Sequence, residues 1–205
     1  MIAIIDYGVG NLFSVEKAFA ALGAEARITN NPAEIKAAEK LVLPGVGAFG
    51  DCMINLSASG LIPLLKEEVA AGKPMLGICV GLQILFEGSD ESPAAAGLGL
   101  LKGRVERLDA PELKIPQMGW NRLHIAEPRR QQDLFAGIEQ NKEYVYFVHS
   151  YHAVPADKTV ITAVTNYGGE VTAAVQQGNI MATQFHPEKS GDVGLRIIDN
   201  FCKLG

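Results

Sequence analysis

Apolar residues in this chain recur with two different periods, and each change of period marks an element. Ile2 to Ile5 is an unbroken apolar run, as expected of a strand buried on both faces. Val15, Ala18, Phe19 and Leu22 then return at helical spacing, which predicts a helix stopped at Gly23. Lys40 to Leu43 predicts a second buried strand, cut off by Pro44-Gly45. Leu61, Leu64, Leu65, Glu68 and Val69 predict a helix ending near Gly72 and Pro74. Met75 to Ile78 predicts a third buried strand, and Ile78, Leu82, Leu85 and Phe86 a helix directly after it. The second half is richer in strands, expected at 104–108, 144–149, 160–165, 171–176 and 180–185, with Gln177-Gly178-Asn179 as a hairpin turn between the last two. Val193, Ile197, Phe201 and Leu204 predict a closing helix. The order predicts an α/β fold: a mostly parallel central sheet with flanking helices and a strand-rich C-terminal half. No linker or repeat interrupts it, so residues 1–205 are expected to form one domain.

Composition narrows function more than fold. The chain has 205 residues, 48% hydrophobic and 20% charged, enough to bury a full core. Its net charge is -5, and its densest basic spot is only Arg129-Arg130, which argues against nucleic-acid binding. The longest apolar stretch, Met75 to Phe86, is broken by Gly77, Gly81 and Gln83 and falls short of the ~18 residues of a membrane span. The N-terminus has no basic region and reads as a strand, not a signal peptide. Cys52, Cys79 and Cys202 are scattered and odd in number, so no disulfide framework is implied, and a reducing, cytoplasmic location is the expectation. Gly8-Val9-Gly10 lacks the third glycine of a dinucleotide fingerprint, since position 13 is Phe, and no Walker A pattern occurs. No nicotinamide, flavin or ATP cofactor is therefore expected. His149 and His152 form a pair without further ligands, so no metal is expected either.

The candidate chemistry centres on Cys79. Gly77-Ile78-Cys79-Val80-Gly81 lies between a buried strand and a helix, a nucleophile elbow with Cys in the place of Ser. The turn would hold the side chain above the sheet at a helix N-terminus, where the thiolate is favoured, and the Val80 N–H could donate to an oxyanion. The alternative is a small buried cysteine in a glycine-rich turn; Cys52 and Cys202, each within a helical segment, read as small core or surface residues. A thiolate nucleophile needs an oriented base. Of the four histidines, His124, His149, His152 and His186, only His186 has a carboxylate in close register, in His186-Pro187-Glu188 at a strand end. Pro187 favours an extended His186, so that Glu188 can reach the imidazole. Pro44-Gly45-Val46-Gly47 follows the second strand and would share the sheet edge with Cys79, either as a further set of oxyanion donors or as an ordinary turn. Ser89 to Gly97 is a polar loop, functional or an incidental insertion.

Gly77-Ile78-Cys79-Val80-Gly81-Leu82-Gln83 and His186-Pro187-Glu188 resemble the signatures of class I, triad-type glutamine amidotransferases. Asp6 to Asn11, Pro44 to Phe49, Met118-Gly119-Trp120-Asn121, Tyr146 to Tyr151 and His186 to Ser190 are similar to segments of the glutaminase subunits of imidazole glycerol phosphate synthases within that family. The resemblance runs from residue 6 to residue 190.

This resemblance implies a glutaminase with Cys79, His186 and Glu188 as its triad. It implies an oxyanion site of the Val80 N–H and, after rearrangement, of the Val46-Gly47 backbone. Gly47, Gln83, Glu91, Ser150 and Tyr151 would contact glutamine, Glu91 suiting the α-ammonium. Ammonia would pass to a (βα)8-barrel cyclase subunit that makes imidazole glycerol phosphate and an aminoimidazole carboxamide ribonucleotide, with Asn11, Trp120, Tyr146 and Lys189 facing that partner. Trp120, the only Trp, is then an interface anchor; the alternative is a core aromatic. Two other functions fit the same residues. A stand-alone thiol hydrolase would turn over glutamine strongly without a partner, and a degenerate scaffold protein would lack a triad member, whereas all three are present.

Overall fold

The computed structural model describes residues 1–126, 134–139 and 143–204; Arg129-Arg130 lies outside the described residues. The strands are β1 (Ile2–Ile5), β2 (Ala26–Thr29), β3 (Lys40–Gly45), β4 (Met75–Cys79), β5 (Gly103–Arg107), β6 (Gln117–Arg122), β7 (His124–Ile125), β8 (Tyr144–His149), β9 (Tyr151–Pro155), β10 (Ile161–Asn166), β11 (Glu170–Gln177) and β12 (Ile180–Thr183). The helices are α1 (Leu12–Ala21), α2 (Pro32–Ala37), α3 (Phe49–Ala58), α4 (Ile62–Ala70), α5 (Val80–Gln83) and α6 (Gly191–Lys203). The large sheet has the order β2-β1-β3-β4-β12-β11-β10-β7. Pairing is parallel from β2 through β12 and antiparallel from β12 through β7. Two antiparallel ribbons, β5-β9 and β6-β8, stand apart from it.

The unbroken apolar runs became the central strands because helices cover both faces. β1 and β4 are buried at every residue, and α1 meets α6 through Phe19 and Phe201, whose rings lie edge-on at 6.5 Å. The C-terminal ends of β1, β3, β4 and β12 share one edge, so the loops after them converge there.

The structure departs from the sequence pattern at several places. The second strand is not cut off by Pro44-Gly45 but runs through them, Pro44 pairing with Ile78 and Gly45 with Cys79 on the parallel neighbour. The helix after β4 is one turn long, not the longer helix that Ile78, Leu82, Leu85 and Phe86 suggest. Its would-be carbonyls are taken from outside: Leu98 N–H donates to Ile84, Leu101 N–H to Leu85 and Gly99 N–H to Phe86. The strand expected over 180–185 leaves its ladder after Thr183. Gln184 N–H still bonds Ala173, but His186 N–H bonds the Tyr146 carbonyl, so the chain crosses from β11 to β8. The strand expected over 160–165 begins one residue later, after a tight turn at Lys158–Val160 in which Asp157 accepts the Thr159 N–H at 2.9 Å. β2, α2, β6 and β9 are short, and the apolar pattern did not announce them; their partners define them.

Candidate active site

Cys79 ends β4 and begins α5. Among the described residues it is the only non-glycine with positive φ (φ 55°, ψ -113°), a strained conformation that turns its side chain out at the sheet edge. Close packing behind it requires Gly81: a Cβ there would lie 1.9 Å from the Leu43 carbonyl oxygen. The elbow therefore rests directly on β3, whose own end supplies the neighbouring 45–47 segment.

His186 stands at the crossing point from β11 to β8, with extended backbone (φ -94°, ψ 98°), and the chain then curls through a tight turn at Pro187–Lys189. That turn brings the Glu188 carboxylate beneath the imidazole, Oε1 to Nδ1 2.8 Å, both side chains buried. Ser190 Oγ fixes the backbone by donating to the His186 carbonyl while accepting the Tyr146 N–H. Burial alone would push the imidazolium down, but the hydrogen bonds and charges of Cys79 and Glu188 outweigh it and raise the His186 pKa to about 9. His186 thus holds a proton at neutral pH beside the sulfur.

A cavity of about 320 Å³ opens over Cys79 and His186. Val46, Gly47, Val80, Gln83, Glu91, Ser150 and Tyr151 line it. All the catalytic, oxyanion and glutamine-contact candidates thus converge on one cavity, with Glu188 behind His186. The Val46 carbonyl accepts from the Cys52 thiol at 3.4 Å, and the trans peptide turns the Gly47 N–H the opposite way, away from α3. Gly47 takes φ +85°, a conformation suited to glycine. Gln83 donates through Nε2 to the Tyr151 carbonyl (2.9 Å) and to Gln184 Oε1 (3.1 Å), leaving its own Oε1 as the acceptor for a ligand.

The polar loop at 89–97 is part of the site. Glu91 accepts the Phe49 N–H at 2.8 Å and Ser92 the Gly50 N–H at 3.1 Å, so the loop caps α3 and ties the 45–50 segment to the cavity wall. Sequence reasoning missed this cap, and it missed Tyr7, whose hydroxyl donates to the Pro44 carbonyl at 2.6 Å. It also placed Cys52 merely as a small residue of a helical segment; the thiol is fully buried beneath the Val46 peptide. His149, set aside in the sequence as a base and as half of a metal pair, lines the cavity. Its Nδ1–H donates to the Tyr151 carbonyl, and among the described residues its buried Nε2 has no partner. Burial, with the charges of His152 and His186, pushes its pKa down to about 4 against the Tyr151 bond, so it is a neutral acceptor.

Three of the four partner-facing candidates cluster beside the triad. Trp120 packs edge-on against Tyr146 (6.3 Å), and Lys189 Nζ lies 5.9 Å from the same ring. Trp120 is 55% exposed, which removes the core-aromatic alternative. Asn11 stands at the N-cap position of α1, without a side-chain capping bond, and α1 lies against the turn that carries Lys189.

The family model for glutamine amidotransferase class-I matches residues 3–204. The imidazole glycerol phosphate synthase subunit HisH of Syntrophotalea carbinolica is 51% identical, over 98% of this chain and 98% of that protein. The subunit of the same name from Methanothermobacter thermautotrophicus is 52% identical, over 100% and 98%. Among solved structures, a glutamine amidotransferase superposes with a TM-score of 0.78 at 20% identity, covering 100% of this chain and 98% of that one. PurLQS from Thermotoga maritima does so with 0.74 at 20% identity, covering 98% and 96%. An elbow cysteine and a histidine in one cavity, with a buried carboxylate behind the histidine, agree with these matches, and the chain belongs to the class-I glutamine amidotransferase family.

Proposed function

We propose that residues 1–205 form one glutaminase domain that hydrolyses the side-chain amide of glutamine and delivers the ammonia to a separate (βα)8-barrel cyclase subunit. There it would enter imidazole glycerol phosphate, with an aminoimidazole carboxamide ribonucleotide as second product. The observation that carries this is the Cys79–His186–Glu188 arrangement under an amino-acid-sized cavity, in a chain about half identical to HisH subunits over its whole length.

In this scheme the Cys79 thiolate attacks the amide carbon, and the oxyanion takes hydrogen bonds from the Val80 N–H and the Val46-Gly47 backbone. The His186 imidazolium gives its proton to the departing nitrogen, so ammonia leaves and a glutamyl thioester remains. Neutral His186 then accepts a proton from water as the oxygen attacks the thioester; the thiolate leaves, and glutamate is released. Glu188 holds the imidazole tautomer throughout. The Glu91 carboxylate and Gln83 Oε1 would receive the substrate's α-ammonium, and Ser150 and Tyr151 the rest of its amino-acid end.

The ribbon supports a seat for the partner. On β6 and β8 the outward pairs are Met118 with Val148, Trp120 with Tyr146 and Arg122 with Tyr144. Val148 lines the cavity, so this face runs from the candidate active site to open surface. A cyclase seated there, touching Trp120, Tyr146, Lys189 and Asn11, would cover the cavity and receive ammonia without release to water.

The test combines the chain with the barrel cyclase and its nucleotide substrate, with glutamine or an ammonium salt as nitrogen donor. Cys79→Ala is expected to abolish the glutamine-dependent reaction and spare the ammonia-dependent one. Survival of both would remove Cys79 as nucleophile, and strong glutamine turnover by the isolated chain would favour a stand-alone hydrolase.

A further inference from the structure

Gln184 is fully buried next to the nucleophile, and the scheme above does not use it. Its orientation follows from one unambiguous acceptor. The Tyr151 carbonyl can only accept, so the Gln83 group facing it at 2.9 Å is the NH2. The same NH2 lies 3.1 Å from Gln184, so the Gln184 atom facing it is Oε1. The Gln184 NH2 therefore points the other way, and its Nε2 lies 3.9 Å from Cys79 Sγ.

A primary amide in a fully buried position costs about 1–3 kcal/mol if its groups lack partners, and an apolar side chain of similar size avoids that cost. A neutral thiol is a weak acceptor, whereas a thiolate accepts a charge-assisted bond. The titratable groups around Cys79 are His186 with Glu188, Tyr7 and Cys52 behind the 45–47 segment, and His149 and Glu91 across the cavity. Burial raises the pKa values of both Tyr7 and Cys52, so neither supplies charge at neutral pH. Among these neighbours Gln184 contributes a donor that does not titrate.

We propose that Gln184 is a second hydrogen-bond donor to the Cys79 thiolate, beside His186, and that Gln83 holds it in place. Gln83 then has two duties: its Oε1 faces the substrate site, and its NH2 keeps Gln184 turned toward the sulfur. When His186 gives up its proton to the leaving nitrogen, Gln184 remains as the sulfur's fixed donor, and it stands ready for the thiolate when the thioester is cleaved.

The proposal rests on Cys79 being the nucleophile, and the experiment separates the two. Iodoacetamide alkylation is followed by mass spectrometry of the Cys79 peptide against pH, in the full chain and in Gln184→Met, which keeps length and loses the donor. At pH 7 the variant is expected to be alkylated more slowly by about 10-fold or more, the effect of losing one hydrogen bond to a charged group. The two rates are expected to converge near pH 10. Equal rates at pH 7, or a deficit that persists undiminished at pH 10, overturn the proposal. If Cys79 of the unaltered chain is no more reactive at pH 7 than Cys202, the nucleophile assignment fails instead. A measurement on the unaltered protein covers a variant that does not fold. The Gln184 side-chain amide resonance in a ¹⁵N-correlated spectrum is expected to move when Cys79 is capped by methyl methanethiosulfonate, and an unmoved resonance overturns the proposal.

Discussion

The parallel half of the sheet and the β6-β8 ribbon treat their large side chains in opposite ways. In β1, β3 and β4 nearly every residue is interior, and the polar groups there, the Cys79 elbow and the 45–47 segment, emerge only at the strand ends. In the ribbon, alternate residues face outward, and several are large: Met118 is 67% exposed and Tyr144 45%. The inward positions of β8, Val145, Phe147 and His149, are buried. A double-sided core suits a strained elbow, because surrounding packing must over-determine a positive-φ cysteine. A one-sided ribbon leaves apolar surface that water tolerates poorly and a partner can cover. The two regions meet at the His186 N–H to Tyr146 carbonyl bond, so the turn that carries His186 and Glu188 hangs on the same strand that presents the outward face.

If the sheet half does chemistry and the ribbon does docking, substitutions should separate turnover from association. The largest effect is expected for Glu188→Gln, which leaves His186 without its charge partner: kcat for glutamine falls about 100-fold or more, with cyclase affinity unchanged. A parallel loss of affinity, by calorimetric titration, would blur the division.

The next effect contrasts two histidines by pH. His186 is raised to about 9, so its pairing contributes stability that is complete below pH 6.5 and lost as pH rises through 9. His149, in the ribbon, is lowered to about 4, so its contribution is complete above pH 6.5 and lost as pH falls toward 4. Each amounts to something on the order of 2–3 kcal/mol. Denaturant titrations from pH 4 to 10 should show a shallower acid-side slope in His149→Gln, with His152 keeping the remainder, and a shallower alkaline-side slope in His186→Gln. An unaltered slope would refute the corresponding assignment.

Trp120→Ala comes third, weakening association with the cyclase by about 2 kcal/mol or more without changing the fold's thermal midpoint. A large drop in that midpoint would mean that Trp120 supports the ribbon itself. The smallest effect is expected for Cys52→Ala, which removes the thiol from the Val46 carbonyl: kcat falls about 5-fold, equivalent to one ordinary hydrogen bond, and Cys52→Ser restores part of it.

Much of this was legible beforehand because local chemistry dictates it. Unbroken apolar runs mark β1, β3 and β4, since a strand covered on both faces has no polar side. Two glycines around a cysteine mark an elbow, since a Cβ at Gly81 would strike β3 and one at Gly77 would crowd Gly81 and Ala182. His-Pro-Glu marks an oriented base, since proline holds His186 extended. The cap of α3 by Glu91 and Ser92, the Tyr7 and Cys52 bonds to the 44–46 carbonyls, and the Tyr151–Gln83–Gln184–Cys79 chain were not legible. Each joins residues far apart along the chain, and Ser, Tyr and Gln occur too widely for any one of them to announce a partner.

Spacing and residue type thus determined the fold class and pointed to a candidate nucleophile and base, because those depend on backbone geometry over a few residues. Packing alone decided that the helix after Cys79 stops after one turn, that Trp120 faces outward and that a buried amide points at the sulfur. Those outcomes depend on which distant carbonyl or ring arrives first, and only the folded chain brings them within a hydrogen bond of one another.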